Sequence, residues 1–172
     1  MSVLRQGFNV DPILQKQAEC VSTMTYNEYW QVVDAGLSPS ELVVYKYEDQ
    51  GVSTLEDGLY VMENKLKNKA FVSKMGRFLR ASIKGWNYAG DHPDEAADIV
   101  LENDDTGAQT EKHQRRMMRE ISKLLGNQPQ GVGYLVPSDY ERTVEVLMSS
   151  DSDPVITRKP NGAWSHAIWD AM

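Results

Sequence analysis

The sequence predicts an α/β protein in which a few β-strands come first and several α-helices follow. Short apolar stretches typical of strands occur only before residue 65. Apolar residues at three- and four-residue spacing, typical of amphipathic helices, occur mostly after it. Two or three strands form a poor sheet by themselves. The pattern therefore indicates part of an α/β architecture whose remaining strands are missing from the chain.

The elements before residue 65 are predicted from caps, composition and turn residues. Asp11 and Pro12 suit the N-terminus of a short helix that ends at about residue 18. The apolar stretch AECVSTM then predicts a strand, and a second helix follows it. ELVVYKYED and LYVM predict two further strands on either side of a turn-rich loop. The expected ranges are 18–24, 41–49 and 59–62 for the strands and 25–34 for the second helix.

Four longer helices are predicted in the rest of the chain. Apolar spacing predicts the first and the third, Pro93 in its first turn supports the second, and a Ser138–Glu141 capping box supports the fourth. A glycine- and proline-rich loop over 126–133 precedes the fourth, and the tail ends in a short amphipathic stretch. The expected helices are 68–88, 93–103, 110–125 and 138–148.

Composition and charge exclude several function classes. The 172 residues suffice for one domain of ordinary size, and 41% hydrophobic with 25% charged residues is a globular composition. The net charge is −7, and the densest basic stretch, KHQRR at 112–116, lies in a helical pattern among acids. We therefore expect a solvated helix face there and neither a nucleic-acid surface nor an anionic membrane surface.

Cysteine and histidine usage predicts no disulfide and no metal site. The single cysteine, Cys20, lies in an apolar context that predicts a buried thiol. His92, His113 and His166 lack metal-ligand spacing, so we expect capping or surface roles and no metal or cofactor. No apolar run approaches the ~20 residues that span a bilayer. The N-terminus lacks a signal-peptide pattern, which taken alone predicts a cytosolic or already truncated chain.

Three stretches carry a resemblance to a known family. They are QGFNVDPILQKQAECVSTMTYNEYW, LVVYKYEDQGVSTLEDGLYVMENKL and FLRASIKGWNYAGDHPDEAADIVLEN. They resemble the substrate-binding proteins of ABC importers in the nitrate/sulfonate/taurine and thiamine-pyrimidine-synthesis-like superfamily. The third is the most specific, because it resembles the family's long helix over about twenty-five residues.

The resemblance implies a partial periplasmic-binding-protein-like fold of type II. Family members have two α/β lobes and a secretion signal, and they work in the periplasm or another extracytoplasmic compartment. This chain resembles their C-terminal half, with the first lobe largely missing. Residues 1–24 then correspond to the end of a second-lobe segment, 25–47 to a crossover helix and strand, and 48–172 to the mostly helical C-terminal part of the first lobe.

The first candidate binding stretch is TYNEYW at 25–30, since loops that follow the crossovers face the ligand in such proteins. Tyr26, Asn27 and Glu28 are the ligand candidates. The ring offers stacking area, and the amide and carboxylate offer directional hydrogen bonds. The alternative is a capping box in which Glu28 accepts from the backbone of Thr25. We expect the other two aromatic side chains of the stretch to pack against the protein rather than to bind the ligand.

The second candidate stretch is EDQGVSTLEDG at 48–58. Its carboxylates and amides could bind a ligand, and its glycine permits a close backbone approach. The alternatives are a solvated acidic turn, or a Ser53–Glu56 capping box that opens a helix with free N–H groups. The candidate residues are Asp49, Gln50, Gly51, Thr54 and Glu56.

The resemblance implies the solute-binding component of an ABC importer, or its C-terminal fragment, which delivers a small molecule to an ABC permease without catalysis. Both candidate stretches lack Arg and Lys, which oxyanions favour, so a heterocycle such as a thiamine pyrimidine precursor fits better than nitrate or a sulfonate. One alternative is a thiamine pyrimidine synthase-like enzyme, which uses iron and pyridoxal phosphate. The other is a truncated fragment that self-associates, as a homodimer, without binding a solute.

Overall fold

A computed structural model describes residues 3–125, 129–149 and 153–172. All regular secondary structure in these ranges is helical. The α-helices are α1 (Asp11–Leu14), α2 (Glu28–Asp34), α3 (Lys69–Asp91), α4 (Pro93–Glu102), α5 (Glu111–Leu125) and α6 (Pro137–Met148). Short 3₁₀-helices occupy Pro39–Glu41, Glu63–Lys67 and Trp169–Ala171.

The α/β fold class predicted from the sequence, with its partial periplasmic-binding-protein-like form, is wrong for the described part of the chain. The three predicted strands, at 18–24, 41–49 and 59–62, contain no β-ladder. Val43 and Tyr45, which supply the strand-like composition of the second, are 79% and 73% exposed. β-Branched and aromatic residues favour a strand only where a neighbouring backbone pairs with it and a surface covers its side chains. Neither condition is met here.

The helix predictions after residue 65 are confirmed, with small shifts at the ends. α3 begins after Asn68, whose Oδ1 accepts from the backbone N–H groups of Ala70 and Phe71 at 3.0 and 3.1 Å, which satisfies two donors of the first turn. α6 begins at Pro137 without the predicted Ser138–Glu141 capping box. Of the predicted loop over 126–133, residues 126–128 lie outside the described ranges.

The described residues divide into two compact units. The first contains residues 3–43 and 87–125, and the second contains 44–86, 129–149 and 153–172. Helix α3 contributes to the second unit through Trp86 and to the first from Asn87 onward. The three-part division predicted from the sequence stays a prediction.

The first unit is built on the packing of α4 against α5. Ala97 is fully buried and Ala96 and Met118 nearly so, and these three residues form a cluster with partly buried Ala89 and Ile121 around it. Alanine side chains let two helices approach closely and leave little space between them. One long methionine side chain from α5 fills that space. The core of this unit is therefore small, and each large side chain in it carries a large share of its stability.

The second unit holds its last residues against α3. Gly76 is buried where Ala171 and Met172 cross the helix. A Cβ built on Gly76 would lie 2.8 Å from the carbonyl carbon of Ala171 and nearer still to its oxygen. Only glycine permits this approach of two backbones. Trp169 of the same segment meets the ring of Tyr134 edge-on at 5.2 Å.

Two expectations about single residues are corrected or extended by the structure. Cys20 is exposed, so the predicted buried thiol is wrong. His166 is partly buried, with its Nε2 2.7 Å from the Leu135 carbonyl oxygen and its ring stacked on Tyr134 at 4.5 Å. No helix in the described ranges is long and apolar enough to cross a membrane.

Candidate functional site

The start of α2 lies three residues later than the sequence predicted. The helix begins at Glu28, and its end at Asp34 agrees with the prediction. Glu28 Oε2 accepts from the backbone N–H of Met24 at 3.0 Å, not from that of Thr25, so the predicted capping box is wrong. The carboxylate still binds a backbone donor before the helix, which fixes the approach of the chain to α2.

Asn27 lies at the centre of a hydrogen-bonded network at this helix start. Its Nδ2 donates to Glu28 Oε1 at 3.2 Å, and its Oδ1 accepts from Gln31 Nε2 at 3.2 Å. His113 Nε2 lies 2.8 Å from the same Oδ1. The side chains are partly buried. Two predicted ligand residues, Asn27 and Glu28, are thus in direct contact, and α5 supplies the histidine that contacts Asn27.

A second cluster on the same two helices surrounds Trp30. The guanidinium of Arg116 lies over the Trp30 ring, 4.7 Å from its centroid, and Tyr29 meets that ring edge-on at 5.1 Å. Arg116 and Lys112 bind the two carboxylate oxygens of Asp34 at 3.0 and 2.8 Å. The basic stretch 112–116 is therefore more than a solvated face, because two of its cations attach α5 to α2.

Acid is expected to weaken this attachment. The hydrogen bond from Lys112, and also that from Arg116, holds the pKa of Asp34 below its usual range. A carboxyl whose pKa is lower in the folded than in the unfolded protein stabilises the fold at pH values above its unfolded pKa. This contribution is lost as the pH falls below about 4. Asp34→Asn should cost about 0.5–1 kcal/mol at pH 7, because these pairs are partly exposed, and little at pH 2. Urea unfolding at both pH values measures the difference.

The exposed aspartate Asp105 of the same unit provides the matched control. Because this side chain is exposed, Asp105→Asn should change the free energy of unfolding at pH 7 by about 0.5 kcal/mol or less. An Asp34→Asn loss that stays the same from pH 7 to pH 2 would contradict the assignment of a lowered pKa to this carboxyl.

The second predicted stretch forms an exposed turn followed by an extended segment. Asp49, Gln50 and Gly51 are exposed in the turn, where Gly51 adopts φ +71°, a value that favours glycine. Thr54 is half-buried and Glu56 is exposed. No helix begins at this point, so the predicted capping box is wrong.

Helix α6 holds the extended segment in place. Arg142 Nε donates to the Ser53 carbonyl oxygen at 3.0 Å, and the Leu55 N–H donates to Thr143 Oγ1 at 2.9 Å. The half-buried Thr54 lies between these two anchors. The backbone on both sides of Thr54 is therefore fixed from α6 by side-chain hydrogen bonds.

The eight predicted ligand residues fall into two groups. Tyr26, Asn27 and Glu28 are consecutive and partly buried in the first unit. The five residues of the second stretch belong to the second unit. The ligand roles of all eight stay predictions. No group of three or more His, Cys, Asp or Glu side chains placed to hold a metal ion occurs within the three described ranges.

His113 is the residue that the sequence reasoning missed, since it predicted a surface or capping role. A signal was available in the spacing of α5. His113 precedes Met117 and Ile121 by four and eight residues, which places it on the apolar stripe of the helix. A polar side chain on that stripe faces a neighbouring element and needs a partner there. Asn27 is that partner.

Comparison with known proteins identifies the family. A search of curated proteins and a search of solved structures each found no match. A sequence model of the family described as NMT1/THI5 like matches residues 1–96, which is more than half of the 172 residues. This family comprises nitrate, sulfonate and taurine substrate-binding proteins of ABC transporters and thiamine pyrimidine synthesis proteins. The resemblance inferred from the sequence is confirmed: the chain belongs to the NMT1/THI5-like family.

Proposed function

We propose that the chain is the solute-binding component of an ABC importer, or a segment of one, and that it binds a small heterocycle such as a thiamine pyrimidine precursor. Family membership supports a substrate-binding or thiamine-pyrimidine-related role. It is consistent with a small-molecule solute and an ABC permease as partners. The observation that carries the proposal is the partly buried network of Asn27, Glu28, Gln31 and His113.

The network suits a neutral heterocycle better than an oxyanion. Its amide and carboxylate groups can donate to and accept from ring nitrogens and amino groups. Lys112 and Arg116 are the cations on the neighbouring face of α5, and both bind Asp34. An oxyanion would have to compete with that carboxylate for them. A flat ring could in addition stack on an aromatic side chain such as the half-buried Tyr26.

The proposed role is binding without catalysis, outside the cytoplasm, with delivery of the solute to the permease. Affinity would come from ring stacking and a few hydrogen bonds that replace those to water. The alternative within the family is an enzyme of thiamine pyrimidine synthesis. Bound iron, or the absorbance band of pyridoxal phosphate, in the purified protein would favour that alternative.

Binding is tested with hydroxymethyl-aminopyrimidine, nitrate and taurine in thermal-shift and calorimetric titrations. The aminopyrimidine is expected to raise the melting temperature by mass action, and the two anions are not. Asn27→Ala should weaken aminopyrimidine binding by about 5- to 150-fold, because the ligand loses a hydrogen bond in a partly buried site at a cost of about 1–3 kcal/mol.

Asn103→Ala is the matched control. Asn103 follows α4 in the same unit, and its amide donates to the Ile99 carbonyl oxygen at 2.7 Å. Its replacement should leave ligand affinity unchanged while removing an amide of the same chemistry. The proposal is wrong if no member of the panel stabilises the protein, or if Asn27→Ala and Asn103→Ala bind the aminopyrimidine equally well.

A further inference from the structure

We infer that His113 is a positioning residue of this site. It orients the Asn27 amide so that the amide N–H donates a hydrogen bond to the ring nitrogen of a heterocycle that carries a neighbouring amino group. This inference rests on the proposed function and deepens it. It assigns a specific role to the α5 residue of that network, whereas the sequence predicted the site only from the 25–30 and 48–58 stretches. It also narrows the solute to rings that carry a hydrogen-bond acceptor beside a donor.

The direction of each hydrogen bond in the network follows from Glu28. An ionised carboxylate only accepts, so the Asn27 atom that faces Glu28 at 3.2 Å is the amide nitrogen. The amide oxygen then faces His113 at 2.8 Å. Because that oxygen only accepts, Nε2 of His113 must carry a proton. The network therefore fixes both the orientation of the amide and the protonated nitrogen of the imidazole.

His113 is the anchor of this arrangement for two reasons. Its bond to Asn27 is the shortest of the three, at 2.8 Å against 3.2 Å for both Glu28 and Gln31. The other two partners are flexible side chains on α2 itself, whereas the imidazole is a rigid ring on α5, 86 residues away in sequence. Without His113, the remaining side-chain contacts of the Asn27 amide with described residues would all come from α2, the helix that Asn27 directly precedes.

The oriented amide determines what the site can recognise. Asn27 Nδ2 has two hydrogens, and Glu28 uses one. The second has no acceptor among the described residues, and it lies beside the Glu28 carboxylate. Each oxygen of that carboxylate accepts one hydrogen bond, from Asn27 and from the Met24 N–H, and can accept another. A ring nitrogen next to an amino group complements this pair, because the nitrogen accepts from Asn27 and the amino group donates to Glu28. A rotated amide would present its oxygen instead and would repel the ring nitrogen.

The test measures a ratio of affinities for two ligands. These are hydroxymethyl-aminopyrimidine and its deaza analogue, in which C–H replaces the ring nitrogen beside the amino-bearing carbon. The unmodified protein should prefer the pyrimidine by about tenfold or more, since loss of the acceptor leaves a polar group unpaired. His113→Phe keeps an aromatic ring but has no donor, and it should reduce the preference to about twofold or less. A general loss of folded structure would lower the affinity for both ligands alike.

Two further variants separate positioning from packing. His113→Gln keeps a terminal N–H that can reach Asn27, and it should retain most of the preference. His92→Phe changes an exposed histidine of the same unit and should leave the ratio unchanged. A preference that persists in His113→Phe, or one that His113→Gln fails to retain, overturns the inference. If the unmodified protein binds neither ligand, the proposed function itself fails.

A measurement without ligand gives an independent result. The nitrogen NMR shifts of His113 in the unmodified protein should show a proton on Nε2, and exchange of the Asn27 side-chain amide hydrogens should speed up in His113→Phe. An imidazole protonated only on Nδ1 would overturn the inference, because Nε2 could then not donate to Asn27.

Discussion

Replacing Gly76 by alanine is expected to lower the free energy of unfolding of the second unit by about 1–3 kcal/mol, the usual cost of forcing a methyl group into a filled space. The new Cβ would meet backbone atoms of Ala171 at 2.8 Å or less. A backbone cannot rotate away as a flexible side chain can, so the last residues must leave the helix or α3 must bend. Urea unfolding followed by circular dichroism measures the loss.

Gly85 provides the matched control on the same helix. Apart from its own helix, a Cβ at Gly85 has no atom of a described residue within 4 Å, so Gly85→Ala should stabilise the protein by about 0.5–1 kcal/mol through helix propensity alone. Removing residues 169–172 should abolish the cost of Gly76→Ala, because the clash partner is gone. A Gly76→Ala protein that is destabilised equally with and without these residues would show that the close approach is not the cause.

Met118→Ala is expected to destabilise the first unit by about 2–3 kcal/mol. Met118 is only 6% exposed and is the one large side chain in the cluster with Ala96 and Ala97. Truncation removes buried apolar atoms and leaves a cavity that two alanines cannot fill. The same unfolding measurement applies, with the ellipticity of the helices as the signal.

Two controls identify the cause of the Met118 effect. Met118→Leu nearly conserves the volume and should cost less than about 1.5 kcal/mol. Leu124→Ala, at a position of α5 that is 49% exposed, should change stability by about 0.5 kcal/mol or less. Equal losses for Met118→Ala and Leu124→Ala would show that burial in this cluster does not determine the result.

Helices were predictable from this sequence because their information is local. The spacing from Phe71 to Trp86 predicts α3, and Pro93 predicts the start of α4. Each helix satisfies its own backbone hydrogen bonds, so its existence depends little on the rest of the chain. The error at α2 came from reading Thr25 and Glu28 as a local capping pair, whereas Glu28 bonds Met24 and Asn27.

Strands could not be predicted in the same way. The VVYKY segment is rich in residues that favour strands. Val43, Val44 and Tyr45 are nevertheless exposed and take part in no β-ladder. A strand is completed by another strand, and composition does not say whether that partner is present. The candidate site shows the same limit. Asn27 and Glu28 are adjacent and were found together, but their link to His113 spans 86 residues and exists only in the fold.

The cation over Trp30 gives the molecule an optical reporter of its own. Arg116 lies 4.7 Å from the centre of the indole, and the indole Nε1 is buried without a hydrogen-bond partner among the described residues. Indole emission responds to nearby charge and to polarity. Trp30 belongs to the same helix turn as the Asn27 network. A solute that shifts α2 against α5 should therefore change the wavelength or the intensity of the Trp30 fluorescence emission. With the other three of the four tryptophans replaced by phenylalanine, that change could be followed in real time without any added dye.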